Sequence, residues 1–244
     1  MRRGRSGHSW GGRLATGAAC ISAVISVAAA YTAFDQIAVA KRQNEIADRQ
    51  ALGVIVASIT EERRALEGTH GTRRLVIEEA LIADAEEALT LVEAQAKPVP
   101  AVDNYEIGEA FEESGSTDYH SALTSFRRSA QVKTDPRYRA ASLRGEAHIL
   151  YQLGGSTNAE QARAALAAAY HSYDGQPDMT NETIAYYHAY TDLFAVVNET
   201  PIDCTRARKQ LDYAKELIRT GQATSNTYMV LELKFAEHNA ARCR

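Results

Sequence analysis

Three histidines of this 244-residue chain follow a tyrosine directly: Tyr119-His120, Tyr170-His171 and Tyr187-His188. Imidazoles can move protons or bind metals, so they come first. No HExxH occurs, and no two histidines stand four apart on one helix face. A metal site would have to be gathered from distant helices, and surface or groove histidines are the expectation. The acid pairs Glu61-Glu62, Glu78-Glu79, Glu86-Glu87 and Glu112-Glu113 are adjacent in sequence. Neighbours on a helix point about 100° apart, so these pairs read as solvated faces rather than carboxylate dyads. Asp174-Gly175-Gln176-Pro177-Asp178 hints at a calcium loop but lacks the closing Glu, and reads as a turn. Asn181-Glu182-Thr183 and Asn198-Glu199-Thr200 match the glycosylation sequon, which matters only in a eukaryotic secretory setting. No GxSxG, P-loop or GxGxxG exists. No catalytic, metal or cofactor residue is assigned.

Tyrosines and cysteines carry more information. Eleven of the twelve tyrosines lie in 105–228. Tyr186, Tyr187 and Tyr190 cluster with His188. Two adjacent tyrosines cannot both face one core stripe, so at least one of Tyr186 and Tyr187 is expected at a partner-binding surface. Of three cysteines, Cys20 lies in an apolar run, while Cys204 and Cys243 stand near the C-terminus. With no CxxC or zinc spacing, the latter two form the expected disulfide if the domain is exported.

The elements that position these residues begin with Leu14–Phe34, an uncharged run bounded by Arg13 and Asp35. As a helix of about 1.5 Å per residue, it matches a bilayer's hydrocarbon core. Arg2, Arg3, Arg5 and Arg13 precede it with no acid, so the positive-inside rule keeps residues 1–13 cytoplasmic and sends the rest across. The rival reading is a cleavable signal peptide with its site at Ala28-Ala29-Ala30, giving a secreted protein. The length of the run favours an anchor. Ala18, Ser22, Ser26 and Ala30 recur every four residues, a small-residue face that would join two such helices in a homodimer.

Of the chain's 27 basic residues four precede the apolar run and none of its 31 acids does, which leaves 23 against 31, a net of −8. An acidic domain is a poor candidate for nucleic acid. Residues 35–67 read as a stalk helix, with Leu52, Ile55, Ile59 and Leu66 at a and d spacing as a short self-association patch. Residues 72–97 read as a connecting helix whose apolar face is Leu75, Ile82, Leu89 and Val92, with Ala85 and Ala88 beside it. Lys97-Pro98-Val99-Pro100 is an extended linker. Beyond it no strand-like alternation is found, and seven helices are expected at 102–115, 117–132, 136–153, 158–173, 180–197, 203–220 and 224–242, joined by short turns into antiparallel neighbours.

Ile107-Gly108, Phe111, Gly115, Tyr119, Ala122, Phe126 and Pro136 together resemble a tetratricopeptide repeat. This copy has about two extra residues between Gly115 and Tyr119. Ala162 and Leu166 match the second-helix spacing, as do Ala207, Leu211 and Ala214. The first helices of those copies show no Leu-Gly-x-x-Tyr. The resemblance covers roughly residues 102–220. It implies an all-α fold: helix hairpins stacked as a short solenoid over residues 102–244, with the last helix as cap. It also implies a scaffold that binds a protein or peptide in a concave groove lined by first helices, with no cofactor.

The leading expectation is thus a membrane-anchored, exported helical-repeat adaptor. The alternative is a receptor-like or signalling subunit, which a 13-residue cytoplasmic tail disfavours. An enzyme is the third reading, held down by the missing constellations.

Overall fold

The computed structural model describes residues 11–66, 68–177, 179–198, 202–220, 237, 238 and 241; of these, 11–35 are described in backbone only. Eight helices and no strand occur among the described residues: α1 Gly11–Leu66, α2 Thr72–Ala94, α3 Ala101–Glu113, α4 Tyr119–Gln131, α5 Pro136–Leu153, α6 Ser156–His171, α7 Asn181–Asn198 and α8 Cys204–Arg219. Two compact units emerge, residues 1–50 and residues 51–244. In the first, Ile37, Val39 and Ile46 are exposed. The anchor expected at Leu14–Phe34 is helical in backbone, but its side chains, including those of Ala18, Ser22, Ser26 and Ala30, lie outside the described residues. Among the described residues no helix is long and apolar enough to cross a membrane. The capping helix expected at 224–242 also falls outside, apart from positions 237, 238 and 241.

Local signals set the helix ends. Asp118 caps α4 by accepting from Ser121 N, 3.1 Å away. Asp135 caps α5 through Arg137 N at 3.0 Å, with Pro136 in the first turn. Asp203 caps α8 through Arg206 N at 3.0 Å. Past the end of α3, Gly115 takes φ 69°, a left-handed value that glycine adopts without strain.

Within the second unit the helices pair in order: α3 packs on α4, α5 on α6 and α7 on α8. The first helices also touch, α3 with α5 and α5 with α7. This is the arrangement of stacked helix pairs, compatible with a helical repeat. Its tightest point is Phe126 of α4. A Cβ placed on Gly108 of α3 would lie 2.7 Å from that ring, and one on Gly145 of α5 would lie 2.5 Å from it. Both glycines are there because the ring occupies the space of a side chain. Next to this wedge, Ser142 Oγ donates to Ser129 Oγ at 2.7 Å, and Ser129 Oγ donates to the Ala101 carbonyl at 2.7 Å. A buried polar chain thus crosses three helices with its hydroxyls satisfied.

Two expected faces are corrected. Leu52, Ile59 and Leu66 are buried in the core of the second unit, so the patch at the end of α1 serves the chain's own packing and not self-association. On α2 the buried stripe is Leu81, Ala85, Ala88 and Val92, while Leu75 is 59% exposed. The small residues lie at the centre of that stripe because alanine lets the helix approach its neighbours closely. Val92 of the expected face is in that stripe and Leu89 packs against the core, so the face is turned from Leu75 toward the alanines expected beside it.

The wedge is directly testable. Gly145→Ala should overpack against Phe126 and lower stability by about 1–3 kcal/mol in urea melts. Phe126→Ala should lower it by about 3–5 kcal/mol. The double variant should cost less than the two singles together, because the smaller side chain makes room for the new methyl.

Candidate functional site

Tyr186, Tyr187 and Tyr190 do not form a surface. They are 0%, 5% and 3% exposed, and the expectation that at least one of Tyr186 and Tyr187 is open to a partner is corrected. The reason is the place of α7. Buried residues occur around most of it, at Tyr186, Tyr187, Ala189, Tyr190, Leu193, Phe194, Val196 and Val197, because α5, α6 and α8 all pack on it. The tyrosines fill the interior instead. Tyr173 stacks on Tyr187 at 4.4 Å, and Tyr186 meets Tyr187 edge-on at 5.4 Å. Arg144 of α5 is buried with them; its Nη1 donates to Tyr173 Oη at 2.9 Å and its guanidinium lies 4.7 Å above the Tyr190 ring.

His188, the remaining member of the expected partner-binding set, sits at the edge of this core. Its ring stacks on Tyr170 of α6 at 3.7 Å, and its Nε2 lies 3.1 Å from Asp174 Oδ1. His171 Nδ1 lies 2.9 Å from Asp174 Oδ2. The hydrogen bond with His171, then the charges of both imidazoles, hold the Asp174 carboxyl below its usual range. So the turn that resembled a calcium loop brings two histidines to one carboxylate. Among the described residues no group of three or more His, Cys, Asp or Glu is placed to hold a metal ion.

Beside His188 opens a groove of about 550 Å³. Ala185, His188, Ala189 and Asp192 supply its α7 wall, and Arg206, Gln210 and Tyr213 supply its α8 wall. Both sets recur at three- and four-residue steps, so each is one helix face and the groove follows the helix axes. The two alanines leave its floor low. Asp192 ties the walls together by accepting from Arg206 and from Gln210 Nε2, the latter at 2.7 Å. Tyr170 and Tyr213 are 37% and 49% exposed at its rim.

A second constellation lies on α3, where the adjacent Glu112 and Glu113 were expected to be solvated. Arg63 of α1 reaches across to Glu106, Glu109 and Glu113. Glu112 faces His148 of α5 instead, with Oε1 3.4 Å from Nε2. Sequence reasoning looked at neighbouring acids and missed the working interval: Glu106, Glu109 and Glu113 stand at i, i+3 and i+7 and share one face. Nothing in the sequence pairs them with Arg63.

Cys204 opens α8 and packs, partly buried, against the core. Cys243 lies outside the described residues, so the pairing of the two is not part of the described fold. Of the sequons, Asn181 is exposed, whereas the Asn198 amide donates to the Phe194 carbonyl at 2.9 Å and is engaged within the fold.

No family model matches the chain, and neither a curated protein nor a solved structure matches it. The class defined by the fold is an all-α protein of stacked helix pairs.

Arg63→Met removes the cation from three carboxylates, of which Glu106 is 3% exposed. A denaturant melt near neutral pH should show a loss of about 3–5 kcal/mol, as for other broken buried ion pairs. A loss below about 1 kcal/mol would mean that water already screens the cluster.

Proposed function

We propose that the chain is a membrane-anchored, exported helical-repeat adaptor that binds another protein or a peptide in the groove between α7 and α8. The observation that carries this reading is the groove itself. It is open and about 550 Å³ in volume, and it has two exposed tyrosines on its rim and charged groups on its walls. Tyrosine combines apolar area with a hydroxyl donor and is enriched at binding hot spots. A helix or extended segment lying along paired helix faces would make such contacts. The Tyr170–His188 stack makes one end of the groove rigid, so little ordering is needed there on binding.

Support for the anchor remains in the sequence: Leu14–Phe34 is uncharged, of bilayer length, and follows four arginines. Export would place Cys204 and Cys243 where a disulfide between them can form, and that pairing is part of the reading. The tetratricopeptide likeness is supported by the order of helix contacts and by the Gly108–Phe126 approach at the motif residues.

A photocrosslinking residue at Tyr213, in the full chain within its native membranes, should give one discrete adduct with a second polypeptide. Tyr170→Ala with His188→Ala should abolish that adduct while leaving the helical signal intact. An unchanged adduct in that variant, or none in the parent chain, would overturn the groove reading.

Topology has its own check. The intact mass of the membrane-extracted protein should include residues 1–34. Without reduction only Cys20 should take up an alkylating reagent, and after reduction Cys204 and Cys243 should react as well. A mature N-terminus just after Ala30 would replace the anchor by a cleaved signal.

A further inference from the structure

Four carboxylates of α3 stand against one guanidinium and one imidazole. Arg63 donates through Nη1 to Glu106, through Nη2 to Glu109 Oε2 at 2.8 Å, and through Nη2 and Nε to both oxygens of Glu113 at 2.8 and 2.9 Å. One positive charge thus faces three negative ones, and all three of its nitrogens are engaged. The side chains of Arg63, Glu106 and Glu109 are 15%, 3% and 18% exposed, so water screens them little.

Glu112 turns toward α5, and the hydrogen bonds around His148 fix which nitrogen carries the proton. The Asn198 amide nitrogen donates to the Phe194 carbonyl, so Asn198 Oδ1 can only accept. His148 Nδ1, 3.2 Å from that oxygen, must therefore donate. Gln152 Nε2 lies 2.7 Å from His148 Nε2 and donates to it. The single lone pair of that nitrogen is thus taken, and Glu112 Oε1 lies 3.4 Å from it. The neutral ring offers Glu112 no proton there, so Glu112 gains no donor from His148 to offset its burial, which favours the carboxyl that keeps its own proton.

The surrounding charges add to this demand. Besides Arg63, α1 brings Glu62, whose pKa is raised by burial and then by Asp84 of α2. Asp103 of α3 is raised by burial and then by Glu106, while Tyr105 hydrogen-bonds Glu109. Burial first, and neighbouring carboxylates after it, push Glu109 up to about 7 against the pull of Arg63. Burial, then Glu109 and Glu113, raise Glu112 well above its usual range. Burial lowers His148, against its hydrogen bond with Asn198.

We propose that this row is a proton-gated latch joining the end of α1 to α3 and α3 to α5, closed while α3 holds protons and loosened once its carboxylates are all ionised. It does not rest on the adaptor reading. A carboxyl raised in the folded state lends stability that is full below the ordinary carboxylate range. For Glu109 that stability is lost as pH rises through about 7. Glu112 acts in the same direction. His148 acts in the opposite one: its depressed value lends stability above the ordinary histidine range, lost as pH falls through the folded value. Loosening on the alkaline side therefore belongs to the glutamates.

The test uses the full chain in detergent. Carboxyl-carbon NMR should find glutamates titrating at or above neutrality. Amide exchange, corrected for its intrinsic pH dependence, should show opening at 60–66 and 101–113 rising roughly tenfold for each unit of pKa displacement as pH passes 7. In Glu109→Gln/Glu112→Gln the protection should persist to alkaline pH and its pH dependence should vanish. If that variant fails to fold, the carboxyl titration of the parent chain decides. The latch is overturned if every glutamate titrates in the ordinary range, if protection in the parent chain does not fall with rising pH, or if the double variant keeps the parent's pH dependence.

Discussion

The ring of Phe126 presses on two helix backbones at once. With no side chain at Gly108 or Gly145, one aromatic ring sets the spacing of α3, α4 and α5. Much else depends on that spacing. The Ser142–Ser129–Ala101 chain closes at 2.7 Å per link only while the three helices keep it. The meeting of Glu112 and His148 at 3.4 Å depends on it too, because those residues lie further along the same α3 and α5. A methyl at either glycine would move the backbones apart, lengthening contacts that are polar and sensitive to distance.

The central position of α7 explains the other half of the second unit. A helix packed on three sides cannot display an apolar stripe and a polar back; it must be apolar around most of its girth. Tyrosine suits such an interior when its hydroxyl finds a partner, as that of Tyr173, in the turn before α7, does with Arg144. The guanidinium of Arg144 is also served by the Tyr190 face, so its burial is compensated on two sides. On one face α7 leaves Ala185, His188 and Asp192 only half-buried, and the α7–α8 groove forms along them. Burial of the tyrosines and opening of the groove thus have one cause.

Helix positions were legible in the sequence and helix facing was not. Pro136, Gly115 and the aspartate caps mark ends through local backbone chemistry, so α3 to α8 fall within a few residues of their expected bounds. Which side of a helix is covered depends on how many neighbours it has, and no local residue carries that number. Tyr186 and Tyr187 were separated by an argument valid for a helix packed on one side, and α7 is packed on three. On α2 the expected face of Leu75, Ile82, Leu89 and Val92 left Ala85 and Ala88 at its side, whereas close approach puts those alanines at the centre of the buried stripe. The α7–α8 groove was invisible for a related reason: its walls are ordinary helix faces that gain meaning only when placed side by side.

The acid excess of the chain has a similar lesson. Acids spread over a surface keep a protein soluble and have little structural effect. On α3 the same residue type is drawn inward by Arg63, a residue of α1 and so of a different helix. In a stack of repeats each helix pair touches only its neighbours, and stability is a sum of local terms. A polar row that begins on α1, crosses α3 and α5, and ends at Asn198 of α7 departs from that scheme. Apolar contacts between repeats tolerate small shifts, but hydrogen-bonded charges lose much of their energy with slight displacement. The row therefore fixes the relative register of the first helices more sharply than their packing does, and it makes that register depend on charge.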